Sequence, residues 1–101
     1  MEKRKPTYDL EAFKAVAPNR KKVQYKQTAL LGAYKLGFTI SEIVNVIETM
    51  RHEHFYKSMT AYRSNRLWQD VYHVPSEKGL LYIKFAAGQI FEFDLLSFKE
   101  K

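Results

Sequence analysis

Cysteine is absent from the sequence, and glycine and proline are scarce, with four and three residues respectively. Without cysteine there are no disulfides, no thiolate zinc sites and no cysteine nucleophile. The isolated glycines form no glycine-rich phosphate loop. Apolar runs such as residues 79–83 are far shorter than the roughly 18 residues that a membrane span needs. Because no apolar stretch follows the basic start at residues 1–5, we expect no signal peptide, no membrane partner and a cytoplasmic location.

Aromatic and basic side chains are abundant. Of the 101 residues, 46% are hydrophobic and 15% aromatic, which is typical of one folded domain and here predicts a single domain over residues 1–101. The formal net charge is +6, and residues 1–26, with eight basic and three acidic side chains, contribute +5 of it. Residues 27–56 contribute −1 and residues 57–101 contribute +2. Such a surplus suits a nucleic-acid partner or a merely solvated surface, so charge alone does not decide the function.

Two helices are predicted in the first 37 residues. Asp9 is the expected N-cap of the first, which carries apolar residues on one face and ends before Pro18. The second begins near Thr28 after a short strand around residues 23–25, and Gly37 lies just past its end. The expected apolar positions are Leu10, Phe13 and Val16 in the first helix, and Leu30, Leu31 and Tyr34 in the second.

A third helix has the strongest start signal in the sequence. Thr39 is its expected N-cap, and Glu42 completes a capping box three residues later. Phe38 and Ile43 have the spacing of a hydrophobic staple around this cap. The helix is predicted to run to about Met50, with a buried face formed by Ile40, Ile43, Val44 and Ile47.

The second half of the chain changes from helical periodicity to alternation. Strands are predicted at residues 55–62, 67–74, 81–85 and 90–98, with residues 63–66 between the first two. Pro75 is expected to end the second strand, and Gly88 with Gln89 to form a tight turn before the last. In the third strand, Tyr82 and Lys84 alternate with apolar residues and therefore share the face away from the helices. The predicted fold class is α+β, an antiparallel sheet with helices packed on one face.

The second and third helices also have the spacing of a helix-turn-helix, carried by Ala33, Gly37, Ile43 and Val46. A recognition helix presents basic or amide side chains to DNA. Residues 40–50 contain no lysine or arginine and include Glu42 and Glu48. Charge therefore favours a structural helical hairpin over a DNA-binding regulator.

The candidate chemical groups lie in the strand half. His52 and His54 are two residues apart and do not share a helix face, and His73 stands alone, so no metal site is predicted. Metal-free RNA cleavage needs a base, an acid and donors that stabilise charge on phosphorus, and lysines can serve where crowded cations lower a pKa. The available groups are Lys57, Gln69, Tyr82, Lys84 and Lys99. A plain hydrated sheet face is the alternative, and the pattern alone favours it.

Several long motifs carry a resemblance to a known family. They are residues 55–60 (FYKSMT) with Tyr62, residues 68–72 (WQDVY), Tyr82 with Lys84, and residues 97–101 (SFKEK). The opening residues 1–4 with Pro6, and residues 28–31 with Leu36 and Gly37, add to it. Together they resemble the motility quorum-sensing regulator (MqsR) toxins of bacterial type II toxin–antitoxin systems, and the resemblance spans essentially the whole chain.

The resemblance implies a RelE-like microbial ribonuclease fold and a metal-independent mRNA endoribonuclease without cofactors, with a preference for GCN sites, notably GCU. Its implied catalytic residues are Lys57, Gln69, Tyr82 and Lys99, and its implied RNA-binding residues are Tyr56, Lys84 and His73. The family pattern has an arginine at the position of His73, and the histidine could replace that arginine only when it is protonated. The implied partners are mRNA and an MqsA-like antitoxin with a zinc domain and a helix-turn-helix. DNA is expected to be bound only through the antitoxin complex.

The functional prediction is therefore a toxin that cleaves mRNA by attack of the ribose 2′-OH, leaving a 2′,3′-cyclic phosphate. Two alternatives stay open at this point. One is a non-catalytic RNA-binding module that uses the same basic and aromatic face. The other is the helix-turn-helix regulator, against which Glu42 and Glu48 count.

Overall fold

The computed structural model describes residues 1–61 and 64–101, so Tyr62 of the family motif and the predicted loop residue Arg63 lie outside the described residues. The described helices are α1 (Leu10–Val16), α2 (Gln27–Lys35), α3 (Ile40–Thr49) and a short 3-10 helix (His52–His54). The described strands are β1 (Glu2–Lys3), β2 (Val23–Tyr25), β3 (Phe55–Ala61), β4 (Ser64–Ser76), β5 (Gly79–Ala87) and β6 (Phe93–Glu100).

The strands form one sheet in the order β1-β3-β4-β5-β6-β2. Every neighbouring pair is antiparallel except β2 and β6, which run parallel. Strands β3 to β6 follow one another in sequence and in space, and two short strands from the N-terminal half extend the sheet at its two edges. The fold class predicted from the sequence, α+β with a mostly antiparallel sheet, is confirmed.

The helix caps form as local hydrogen bonding predicts. The Asp9 carboxylate accepts from the backbone N–H groups of Glu11 and Ala12, and Thr39 and Glu42 form the reciprocal capping box. Gly37 follows the end of α2 at a φ of +86°, a left-handed conformation that glycine adopts without strain.

The predicted apolar stripe of α2 is wrong at two of its three positions. Leu30 packs against the core, but Leu31 and Tyr34 are 56% and 49% exposed, whereas Ala29 and Ala33 are fully buried. The reason is the close approach of α2 to β6, where a Cβ added at Gly32 would lie 2.3 Å from the carbonyl oxygen of Phe98. The helix therefore buries its small side chains against the strand and leaves Leu31 and Tyr34 outside.

The face of α3 differs less from the prediction. Ile43 and Ile47 are buried as expected, but Val46 joins them. Ile40 and Val44 are only partly buried and pack at the rim of the core. Helices α2 and α3 are bent by 94° relative to each other. No single helix among the described residues is long and apolar enough to cross a membrane, and this bent pair passes that test only when taken together.

Several strand boundaries also differ from the prediction. Strand β4 begins at Ser64 instead of residue 67, and β5 covers Gly79–Ala87 instead of residues 81–85. Strand β4 continues through Pro75, because beyond Tyr72 it pairs with β5 alone and is an edge strand, where proline is tolerated. Strand β6 begins at Phe93 instead of residue 90, and Ile90 is 91% exposed. The connection is a loop in which the Gly88 N–H donates to the carbonyl of Glu92, not a tight turn.

The core lies between the helices and one face of the sheet. The rings of Phe13 on α1 and Phe85 on β5 stack with centroids 3.9 Å apart, and Phe38 packs edge-on against Phe98. Leu81 and Ile83 are fully buried in the same cluster, whereas Tyr82 and Lys84, which alternate with them along β5, are only partly buried. The alternation predicted for β5 is confirmed, and it leaves the face opposite the helices, the open face, free to carry a site.

Candidate active site

The strand register gathers the predicted site residues on the open face. Tyr82 of β5 lies directly between His73 of β4 and Lys99 of β6. One step along, Val71 of β4 lies between Lys57 of β3 and Lys84 of β5. Residues two apart on a strand share a face, so Gln69 joins Val71 and His73 there. All seven residues predicted for catalysis or RNA binding are on β3 to β6.

Three aromatic side chains form a row across β3, β4 and β5. The His73 ring stacks on Tyr56 with centroids 4.2 Å apart and planes 23° from parallel, and the Tyr82 ring lies 6.0 Å from His73. The ammonium of Lys99 is 5.2 Å from the Tyr82 ring centroid, and that of Lys57 is 5.4 Å from the Tyr56 centroid. This aromatic row of Tyr56, His73 and Tyr82 offers a π surface flanked by cations.

A cleft of about 450 Å³ lies beside this row. Gln69, Lys84 and Lys99 line it from the sheet, and Thr28 and Gly32 of α2 line it from the side. Helix α2 stands there because β2 ends before the last part of β6, and the Thr28 hydroxyl donates to the Leu96 carbonyl at 2.8 Å. A smaller cavity of about 240 Å³ between α3 and the β4–β5 turn contains none of the predicted site residues.

Burial differs among the site residues. Gln69 is 8% exposed, and Val71, which lies on the open face between Lys57 and Lys84, is fully buried. Tyr56, at 41% exposed, is the accessible end of the aromatic row. The site is therefore partly desolvated at Gln69 and Lys84 and open to solvent at Tyr56.

The lysines of the site have opposite electrostatic environments. Burial, and then the charge of Lys99, lowers the pKa of Lys84. Lys57 donates to the Glu2 carboxylate at 2.6 Å, and this hydrogen bond raises its pKa. The sequence-based expectation that crowded cations lower one lysine pKa therefore applies to Lys84, with burial as the larger cause.

The aromatic groups titrate away from neutral pH. Burial raises the pKa of Tyr82, so its hydroxyl stays protonated at pH 7. Burial, followed by the charges of Lys101 and Lys57, lowers the pKa of His73. The neutral imidazole is therefore the favoured form, and a charged His73 does not replace the arginine of the family pattern at neutral pH.

Sequence reasoning missed two side chains at this site, both from the N-terminal segment. Strand β1 pairs with β3, with Glu2 opposite Met59 and Lys3 opposite Ser58. Glu2 reaches Lys57, and the Arg4 guanidinium lies 5.8 Å from the Tyr56 ring. The two-residue spacing of Glu2 and Arg4 is the sequence signal that both lie on one face of a strand. A two-residue strand, however, is too short to be recognised by alternation.

Of the three histidines for which no metal site is predicted, His73 belongs to the aromatic row, whereas His52 and His54 lie before β3. His52 and His54 belong to the short 3-10 helix, where the His54 Nδ1 accepts from the Arg51 backbone N–H. Within residues 1–61 and 64–101, no group of three His, Cys, Asp or Glu side chains is placed to hold a metal ion.

These features define a small α+β protein with a basic and aromatic open sheet face and a lysine-lined cleft. Residues 5–100 match the family model described as motility quorum-sensing regulator, toxin of MqsA. The mRNA interferase toxin MqsR of Escherichia coli (strain K12) is 39% identical over 101 residues, with 100% of both chains covered. The chain belongs to the motility quorum-sensing regulator toxin family, and the resemblance predicted from the motifs is confirmed.

Proposed function

We propose that this chain is a cytoplasmic toxin that cleaves mRNA as a metal-independent endoribonuclease. The observation that carries the proposal is the convergence of Lys57, Gln69, Tyr82 and Lys99 on one open sheet face. The similarity to an mRNA interferase toxin over the full chain supports the reaction class. The family description as a toxin of MqsA supports an antitoxin partner. We propose that this antitoxin resembles MqsA, with a zinc domain and a helix-turn-helix that binds DNA for the complex.

The proposed reaction is attack of a ribose 2′-oxygen on the neighbouring phosphorus. A base takes the 2′-OH proton, the O2′–P bond forms and the P–O5′ bond breaks, and an acid protonates the departing 5′-oxygen. The products are a 2′,3′-cyclic phosphate and a 5′-hydroxyl. Cations fixed near the phosphate stabilise its developing charge, and this face holds Lys57, Lys84 and Lys99.

The environments of the lysines suggest how these roles divide. Lys84, whose pKa is lowered, is the lysine best suited to accept a proton. Lys57, whose pKa is raised, suits charge stabilisation or proton donation. Tyr82 and Lys99, adjacent across β5 and β6, complete the donor set. The nearly buried Gln69 has amide groups that can hold the RNA at the cleft.

The aromatic row is proposed to hold a base next to the scissile phosphate. A base stacked on an aromatic side chain contributes about 1–3 kcal/mol to binding of single-stranded nucleic acid. Tyr56 is exposed enough to receive it, and neutral His73 extends the stacking surface. We propose that this subsite contributes to the preference for GCN sites, notably GCU.

The proposal is tested by incubating the purified chain with a long RNA in the presence of EDTA and mapping the cut sites by primer extension. We expect cuts ending in 2′,3′-cyclic phosphate, and none where a 2′-deoxynucleotide precedes the scissile bond. Lys57→Ala and Tyr82→Phe should abolish cleavage while RNA affinity stays within a few-fold. Lys21→Ala is the matched control, because Lys21 is exposed in the turn after α1. If the correctly folded wild-type chain leaves the RNA uncut, the proposal is refuted. If that chain still binds RNA, the result favours the non-catalytic RNA-binding module.

The role of Lys84 has a separate test. Lys84→Arg keeps the positive charge but cannot lose its proton at usable pH. If Lys84 accepts the 2′-OH proton, this variant loses cleavage by at least about 10²-fold, the usual contribution of general base catalysis, and still binds RNA. Lys35→Arg on the exposed end of α2 is the control. Full activity of Lys84→Arg would assign Lys84 to phosphate binding instead.

A further inference from the structure

The N-terminal segment reaches the open face at one well-defined point. Glu2 Oε2 accepts a hydrogen bond from Lys57 Nζ at 2.6 Å. The Lys57 side chain is only 19% exposed, whereas that of Glu2 is 57% exposed. The Glu2 carboxylate therefore covers the solvent side of the partly desolvated Lys57 ammonium.

Several backbone contacts hold Glu2 in this place. Strand β1 pairs with β3 at Met59 and Ser58, and the Thr60 N–H donates to the Met1 carbonyl at 3.0 Å. Farther along, the buried Asp70 carboxylate accepts from the N–H groups of Thr7 and Tyr8. The segment is thus attached to the sheet at both ends, so Glu2 is presented by an anchored strand.

We infer that Glu2 is a positioning residue for RNA cleavage that fixes the Lys57 ammonium where the reacting phosphate binds. This inference rests on the proposed function, in which Lys57 contacts the reacting phosphate. It goes beyond the motif residues, because Glu2 acts through Lys57 and touches no reacting atom. A lysine side chain has four rotatable bonds, and a second hydrogen-bonding partner selects one of its many conformations.

The other charged or titratable groups near Lys57 do not replace this effect. Tyr56 lies beside it on β3, and Tyr82 and His73 face it from β5 and β4. Burial raises the pKa of Tyr82 and lowers the pKa of His73, so both are neutral at pH 7, and Arg4 from the N-terminal segment is a cation. Among the described residues at this position, Glu2 therefore supplies the negative charge that favours protonated Lys57.

The environments of Lys57 and Lys84 agree with the division of roles proposed above. With Glu2 holding one lysine charged and burial disfavouring charge on Lys84, the two sides of the site are electrostatically different. A proton would leave the 2′-OH on the Lys84 side, and Lys57 would act as a cation or a proton donor. Removing Glu2 should weaken this difference without altering the aromatic row or the cleft.

The experiment compares wild type, Glu2→Gln and Glu2→Asp with Glu11→Gln as the matched control. Glu11 is also an exposed carboxylate paired with a lysine, Lys14, but it lies on α1. The titration of Lys57 is followed by NMR of its 13Cε up to about pH 12, because its pKa is raised from the ordinary value of 10.5. Values of kcat and KM are measured at pH 7.5 on a DNA oligonucleotide with one ribonucleotide. Amide spectra and thermal melting confirm that β1 still pairs with β3 in each variant.

We expect Glu2→Gln to titrate Lys57 at lower pH, because the hydrogen bond that raises the pKa of Lys57 is lost. At pH 7.5, kcat should fall about tenfold, part of the up to about 10²-fold loss that misplaced catalytic groups cause, while KM stays within about threefold. Glu2→Asp should recover part of the loss, and Glu11→Gln should match wild type.

The outcomes separate the inference from the proposed function. An inactive wild-type chain overturns the proposed function. An active wild type in which Lys57 titrates identically with and without Glu2, or in which Glu2→Gln leaves kcat unchanged, overturns the positioning role alone.

Discussion

Replacement of Asp70 by alanine is expected to have a large effect on stability for a single side chain. Asp70 is fully buried on the helix side of β4, where its carboxylate accepts hydrogen bonds of 3.1 and 3.0 Å from the Thr7 N–H and 2.9 Å from the Tyr8 N–H. Ser58 beside it bonds to the Thr7 hydroxyl at 2.7 Å. The variant removes the acceptor for two backbone donors and leaves a small cavity.

The expected loss follows from these contacts. Hydrogen bonds to a charged group contribute about 1.5–3 kcal/mol each, which for two donors gives about 3–6 kcal/mol. Detachment of residues 1–8 lets water reach the freed N–H groups and limits the loss, so we expect about 2–4 kcal/mol. Asp9 is a matched comparison, because its carboxylate also accepts from two backbone N–H groups but is exposed. Asp9→Ala should cost about 1 kcal/mol, the usual effect of losing an N-cap.

Urea unfolding followed by circular dichroism measures both variants. With a denaturant slope of about 1–3 kcal/mol/M, Asp70→Ala should lower the midpoint by about 1–2 M, and Asp9→Ala by less than half as much. Freed of its anchor, the N-terminal segment should also release Glu2, so Asp70→Ala should lower the pH at which Lys57 titrates. A loss no greater than that of Asp9→Ala would refute the view that Asp70 holds this segment on the sheet.

Three further predictions concern the cleft, a helix end and the aromatic row. Gly32→Ala should destabilise the fold by about 1–3 kcal/mol and raise KM, because its Cβ would lie 2.3 Å from the backbone of Phe98. Urea unfolding and cleavage kinetics measure the two effects, and unchanged stability would contradict the close packing of α2 on β6. Gly37→Ala should cost about 1 kcal/mol in the same unfolding assay, because φ is +86° there; a neutral effect would contradict that conformation. The pKa of His73 is lowered in the fold, so the unfolded chain binds the proton more tightly and stability falls as pH drops through and below about 6.5. His73→Gln should therefore lose less stability than wild type between about pH 7.5 and pH 5, and equal losses would show that His73 titrates normally.

The parts of the fold that sequence analysis predicted well depend on neighbours within about four residues. Asp9, Thr39 with Glu42, and Gly37 mark helix ends because their hydrogen bonds or backbone angles are local. The buried face of α2 was not predictable in this way, because Gly32 and Ala33 are selected by a strand more than sixty residues away. The passage of β4 through Pro75 likewise depends on where β3 begins, because Phe55, the first residue of β3, lies opposite Tyr72.

The site was predictable in part for the same reason. Alternation along β5 placed Tyr82 and Lys84 on the open face without knowledge of the other strands. Bringing Lys57 and Lys99 to that face required the register of β3 with β4 and of β5 with β6, which the family motifs supplied and periodicity did not. Neither alternation nor the family motifs identified Glu2 as a site residue, because it lies on a two-residue strand whose pairing partner is far along the chain.

The placement of Glu2 changes the meaning of the charge surplus in the N-terminal part of the chain. Lys22 and Lys26 are near Glu92 and Asp94 at the far end of β6, so part of the surplus of residues 1–26 is matched by strand carboxylates away from the site. What this part brings to the open face is Arg4 beside Tyr56 and one carboxylate on Lys57. A site made of lysines alone would attract phosphate but would leave its lysines without distinct roles. The carboxylate on Lys57 and the burial of Lys84 make two lysines chemically different, as acid–base cleavage of RNA requires.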